Sequence, residues 1–194
     1  GVAARGAFVA SAWSVGCQRI FLAAGVLAAL GGLEDVAQST PRRTGEFWAL
    51  LLMSLAGMAL IPGARDLVLL VVAFELMSVP LYVLTAYAKT QGEGHAPEAA
   101  IKLYLVGATS AALTLFGLAL VTGMAGGSSL QAVAAAPPTP LAAVGVAMML
   151  GGLGYKMGLA PFHFWVPDAY EGARTPFVAF LSVAPKAAGL AAVA

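Results

Sequence analysis

Leu67-Val68-Leu69-Leu70-Val71-Val72-Ala73-Phe74-Glu75-Leu76-Met77 is an apolar run with one carboxylate inside it. The apolar stretch continues to Tyr87. That is long enough to cross the hydrocarbon core of a bilayer, which takes about 20 helical residues. Three lysines repeat the anomaly. Lys102 lies near the start of the run from Ala99 to Val121, and Lys156 closes the run from Leu141 to Tyr155. Lys186 sits within Phe180-Leu181-Ser182-Val183-Ala184-Pro185-Lys186-Ala187. An ionisable group at bilayer depth costs roughly 2.5–3.5 kcal/mol on insertion scales, so four deep ones cost on the order of 10 kcal/mol. Groups kept at that cost point to movement of charge through the membrane.

The rest of the composition agrees. The chain has 194 residues, 60% hydrophobic and 10% charged, with a mean hydropathy of +0.89. Soluble domains carry about 25% charged residues, so the expected class is a polytopic membrane protein. The net charge is +1 and the basic residues are scattered, with no patch to track a nucleic-acid backbone. The single Cys17 excludes an internal disulfide and a multi-cysteine metal or iron–sulfur site. No Gly-rich phosphate loop follows a strand, which removes nucleotide binding. The first methionine is Met53, and the chain ends in an apolar run. It reads as a fragment of a longer protein.

Six membrane spans are expected, at about Ser14–Leu33, Phe47–Ile61, Leu67–Tyr87, Ala99–Met124, Leu141–Ala160 and from Phe177 onward. Pro62-Gly63 stops the second and Pro161 the fifth. Residues 128–136 suit a short surface helix. Backbone groups in lipid need partners within their own segment, so the fold class is an all-α transmembrane bundle with one broken helix. Gly31-Gly32, Gly151-Gly152, Gly154 and Gly158 suit close helix packing; genome composition explains them equally well. Arg42, Arg43, Lys89 and Arg174 fall on one side of the bundle, and Arg5 and Arg65 on the other, with Arg19 near them. The positive-inside rule assigns the first side, with the segment from Pro161 to Pro176, to the cytoplasm.

Each buried charge has two readings. Glu75 precedes Pro80 by five residues. Proline removes a backbone donor and crowds the carbonyl of Leu76, so a bend and a freed carbonyl are expected beside the carboxylate. The functional reading is a proton carrier; the structural one is an ion pair between helices. Lys102 follows Glu98 by one turn, and locally a helix-end salt bridge is favoured. Lys156 and His163 lie two helical turns apart, with Pro161 between them to break the helix. A broken helix tolerated at membrane depth lines a hydrated cavity. A lysine taken out of water there gives up its proton more easily, and histidine titrates near neutrality unaided. His163 packed among Phe162, Phe164 and Trp165 is the structural alternative. For Lys186 the alternative is snorkelling to the interface. Asp168, Glu171 and Arg174 read as a loop or helix-end charge cluster.

Taken in order, these residues resemble the antiporter-like subunit N family of the proton-translocating NADH:quinone oxidoreductase, respiratory complex I. Three stretches carry the resemblance. They are 66–87, Glu98-Ala99-Ala100-Ile101-Lys102-Leu103-Tyr104-Leu105-Val106-Gly107, and 156–189 with Pro161-Phe162-His163-Phe164-Trp165-Val166-Pro167-Asp168. The resemblance implies inverted helical repeats, with an N-terminal helix and loop over 1–45 and a truncated first repeat over 46–194. It implies a buried pair of Glu75 with Lys102, a central Lys156, and a path through His163 to Lys186. It also implies membrane partner subunits, protons and water as cargo and a bacterial inner-membrane location. No cofactor is implied in this chain, since flavin, iron–sulfur clusters and quinone would sit on partner subunits. Arg174 stands where the family has proline. The sister cation/proton antiporter and membrane-hydrogenase subunits, the alternative reading, share Lys…Pro-Phe-His but differ from Ser182-Val183-Ala184-Pro185-Lys186.

Overall fold

The computed structural model describes residues 2–3, 6–39, 42–87 and 95–193; Arg5 and Lys89 lie outside them. Among the described residues eight α-helices run in order: α1 Ala12–Ser39, α2 Thr44–Leu60, α3 Leu67–Ala86, α4 His95–Ala125, α5 Leu130–Ala135, α6 Pro140–Met157, α7 Trp165–Gly172 and α8 Thr175–Val193. A two-residue hairpin, β1 Val2–Ala3 with β2 Phe8–Val9, precedes them. Of these helices, all except α5 and α7 are long and apolar enough to span a bilayer. The bundle is therefore a multi-pass transmembrane fold. The expected short helix is present as α5.

The helix starts are written in short polar side chains. Ser11 and Ser14 exchange side-chain and backbone hydrogen bonds across the first turn of α1, a reciprocal cap. Asp66 accepts from the N–H groups of Val68 and Leu69 to open α3. Ser129 and Thr139 do the same for α5 and α6. Such caps satisfy backbone donors that a helix cannot pair internally. Burial pushes the Asp66 carboxyl up, but hydrogen bonds from Ser128, Leu69 and Val68 outweigh it and leave the group below its ordinary range. The Ser128 hydroxyl donates to Asp66 at 2.6 Å, fastening the α4–α5 turn to the start of α3.

Packing brings the helices close where side chains are small. A Cβ on Gly57 would collide with the backbone of Ala73 and Met77, so α2 and α3 meet at that glycine. Gly117 and Gly145 meet in the same way between α4 and α6. The core runs through Phe47, Leu51, Phe74, Met77, Trp165, Phe177 and Phe180. Leu22, Val26, Leu27 and Leu30 of α1 stay exposed, as a lipid-facing surface requires.

The two ends of the bundle are distinct. At one, Arg65 donates its N–H to Ala7, and Asp66 bridges Ser129. At the other, the Tyr87 hydroxyl donates to the Arg43 carbonyl, and Arg174 meets Asp35 at 2.7 Å. Asp35, Arg43 and Arg174 thus share a side, as expected. Several boundaries differ from the sequence reading: α2 and α4 begin earlier, at Thr44 and His95, and two helix ends move. α1 runs on to Ser39, taking Glu34 and Asp35 into the helix rather than the loop. α6 stops at Met157 instead of Ala160, because Gly158 adopts the left-handed conformation (φ 68°). Gly158 N–H bonds Tyr155 O and Leu159 N–H bonds Gly154 O, both at 2.9 Å, which is the Schellman termination. Glycine ends the helix, three residues ahead of the proline expected to do so.

Candidate functional site: a buried lysine held by three oxygens

Lys156 lies in the last turn of α6, and its side chain is 6% exposed. Carbonyls at a helix C-terminus favour a cation. The ammonium donates to Ser78 Oγ at 2.8 Å, Glu75 Oε1 at 3.1 Å and Tyr82 Oη at 3.3 Å. All three acceptors come from α3. Positions 75, 78 and 82 are three and four residues apart, so they form one stripe on a helix. Ser78 in turn donates to the Phe74 carbonyl at 2.7 Å, which leaves its oxygen lone pairs toward the lysine.

Neighbouring helices fix this arrangement. A Cβ on Gly107 of α4 would overlap the Tyr82 hydroxyl; only glycine admits the tyrosine there. The Tyr82 ring packs edge-on against Tyr104. Next to Lys156, the Tyr155 hydroxyl donates to the Leu103 carbonyl at 2.9 Å, and Trp165 Nε1 donates to the Tyr155 carbonyl at 3.1 Å. These bonds tie α6 to α4 and α7 to α6 across the break. Ser110 Oγ donates to the Gly152 carbonyl at 2.9 Å, one more link between α4 and α6. Among the described residues no cluster of three or more His, Cys, Asp or Glu side chains is placed to hold a metal ion.

The partner of Glu75 is a correction. The resemblance implied Glu75 with Lys102; the structure joins Glu75 to Lys156. Lys102 binds Glu98 at 2.8 Å and Asp168 at 3.3 Å, and its side chain is 46% exposed. The physical reason is direction. Lys102 emerges on the α4 face toward its own first turn and α7, whereas Gly107, the close approach of α4 to α3, offers no side chain. The local reading of Lys102 as a helix-end ion pair holds for Glu98. The helix-end reading holds for Asp168 in the first turn of α7 and Glu171 in its last, while Arg174 also reaches back to Asp35 of α1.

His163 lies in the turn between α6 and α7 and is exposed. No hydrogen bond or ion pair joins it to Lys156 or Lys186 among the described residues. Lys186 is half-buried on α8. Its Cε lies 3.6 Å from where a Cβ on Gly158 would be, and its ammonium stands 5.3 Å from the Tyr170 ring centre. Both lysines thus flank the end of α6. Sequence reasoning missed Ser78 and Tyr82, although their spacing from Glu75 was the available signal. It also missed Gly107, whose role depends on a residue from another helix.

Residues 64–194 match the family described as NADH:quinone oxidoreductase/Mrp antiporter, TM. The chain belongs to that family. It is 40% identical over 180 residues to the NADH-quinone oxidoreductase subunit N of Heliobacterium modesticaldum, covering 92% of this chain and 38% of that one. Among solved structures it is similar to a chain of respiratory complex I from Thermus thermophilus. The TM-score there is 0.77 at 40% identity, over 98% of this chain and 41% of that one. A chain of the Mrp complex from Dietzia shares the fold, with a TM-score of 0.73 at 22% identity, over 89% of this chain and 32% of that one. The chain therefore spans about two-fifths of the length of its complex I relatives.

Proposed function

We propose that this chain is part of a proton-translocating membrane subunit of an NADH:quinone oxidoreductase in a bacterial inner membrane. The observation that carries the proposal is Lys156, an ammonium enclosed in the bundle by Glu75, Ser78 and Tyr82. An amine at that depth is costly to keep, and a structural tie between α3 and α6 needs no charge, since apolar side chains would serve as well. The identity to subunit N and to the complex I chain supports the same reading. Its partners are the other membrane subunits of such a complex. Flavin, iron–sulfur clusters and quinone belong to those partners, and the subunit serves the oxidoreductase as its proton-moving part.

The geometry suggests how. While Glu75 faces Lys156, the pair keeps the proton on the amine. When the carboxylate turns away, Lys156 is left with the neutral oxygens of Ser78 and Tyr82 and yields its proton. The break at Gly158 sets Lys186 beside the end of α6 as the next acceptor, with water and His163 at the mouth of the break. Lys102, Glu98 and Asp168 form a separate exposed cluster that fastens α7 to α4.

Proton pumping by inverted vesicles from cells carrying the full-length subunit tests this. Lys156→Ala is expected to assemble and to lose most NADH-driven pumping. Wild-type pumping by that variant would remove the proposal. The alternative, a cation/proton antiporter subunit, would instead show sodium-dependent proton exchange in the absence of NADH.

A further inference from the structure

Lys102 stands outside the proton path, yet it joins α4 to the helix break. Its ammonium lies 2.8 Å from Glu98 and 3.3 Å from Asp168, and Asp168 stands in the first turn of α7. Trp165 precedes Asp168 by three residues and so lies on the same face of that helix. Trp165 Nε1 donates to the Tyr155 carbonyl at 3.1 Å, and the Tyr155 hydroxyl donates to the Leu103 carbonyl at 2.9 Å. Leu103 follows Lys102 in the chain. These contacts close on themselves: from Lys102 to Asp168, along α7 to Trp165, across to Tyr155, and back to α4 beside Lys102. Tyr155 and Trp165 are buried, whereas Lys102 and Asp168 are about half exposed. The ion pair is therefore the link that solvent weakens most.

The closed chain of contacts holds the peptide bond that leads into Lys156. The Tyr155 carbonyl belongs to that peptide, and it accepts from Gly158 N–H as well as from Trp165. Lys156 reaches its three oxygens at 2.8, 3.1 and 3.3 Å. Hydrogen bonds to nitrogen donors weaken beyond about 3.2 Å, so a small shift in the last turn of α6 loses some of them. We propose that Lys102 is a positioning residue for Lys156. Through Asp168 it seats α7 against α4, and through Trp165 and Tyr155 that seat fixes the turn from which Lys156 projects. What Asp168 and Glu98 require of Lys102 is a fixed positive charge, not a proton that comes and goes. The inference rests on the proton-translocation reading given above.

The test uses the full-length subunit in the assembled complex and reads protons moved per NADH beside assembly on native gels. Lys102→Met is expected to lower pumping two- to fivefold, the order of one exposed ion pair. Lys102→Arg should retain most of it, because arginine still meets both carboxylates although it cannot give up a proton. Asp168→Asn should match Lys102→Met, and the double variant should pump no worse than either, since partners in one contact are not additive. Asp168→Glu against Asp168→Asn makes the same comparison from the α7 side if Lys102→Met does not assemble. An arginine variant as impaired as Lys102→Met would make Lys102 a proton carrier and overturn this inference alone. So would wild-type pumping by Lys102→Met, or losses that multiply in the double variant. Wild-type pumping by Lys156→Ala would remove the translocation reading and this inference with it.

Discussion

Glu75→Leu is the substitution that separates the observed ion pair from the one the family resemblance implied. It removes the only carboxylate on the Lys156 ammonium among the described residues. What remains is Ser78 Oγ at 2.8 Å and Tyr82 Oη at 3.3 Å, both uncharged. The lysine side chain is 6% exposed, so water cannot replace the lost partner, while Glu75 is 33% exposed. Breaking a buried pair from one side costs about 3–5 kcal/mol. The partial exposure of Glu75 places the cost near the lower figure, a large share of the roughly 5–15 kcal/mol that holds a domain folded. Lys156→Met is milder, because the carboxylate it leaves behind is already partly wet. The assay is the amount of full-length subunit in assembled complex on native gels, read beside NADH-driven pumping. Glu75→Leu should lower assembly several-fold. Adding Lys156→Met should restore assembly without restoring pumping. Adding Lys102→Met instead should restore neither. Recovery of assembly with Lys102→Met, and not with Lys156→Met, would refute the pairing drawn from the structure.

Lys156→Arg is expected to assemble but not to pump as wild type, since arginine stays charged and cannot pass its proton on; the pH-gradient dye signal in vesicles reads this. Gly107→Ala should displace the Tyr82 hydroxyl from Lys156 and cut pumping, while Gly123→Ala, where a Cβ meets nothing within 4 Å, should leave pumping intact. Asp66→Ala removes the α3 cap and should cost about 1 kcal/mol near neutral pH. The Asp66 carboxyl lies below its ordinary range when folded. Its contribution is therefore present above the unfolded carboxylate value and is lost as pH falls through the folded one. The difference in thermal midpoint from wild type should accordingly shrink in acid. Cysteines placed at Arg42 or Arg174 should resist membrane-impermeant reagents in intact cells and react in inverted vesicles, if that end of the bundle is cytoplasmic.

Some of this was decided by sequence alone. The apolar run of α3 with one carboxylate, and three more runs each with one lysine, determined the class of fold. Burial cost is a property of residue type and depth, and run length reports depth without any structure. The short polar residues before α3, α5 and α6 likewise act on the next turn of their own chain. Pairing is a different matter. Glu75 and Lys156 are 81 residues apart, and nothing local ranks Lys156 above Lys102 as the partner. That choice was made by the closeness of α3 to α4 at Gly107, by the stripe of Ser78 and Tyr82, and by Gly158 ending α6 where it does. Lys102 had a glutamate one turn away and an aspartate on α7, and took both. Which of several like charges finds a given carboxylate depends on the direction each helix faces. Helix packing sets that direction, through contacts between residues far apart in the chain.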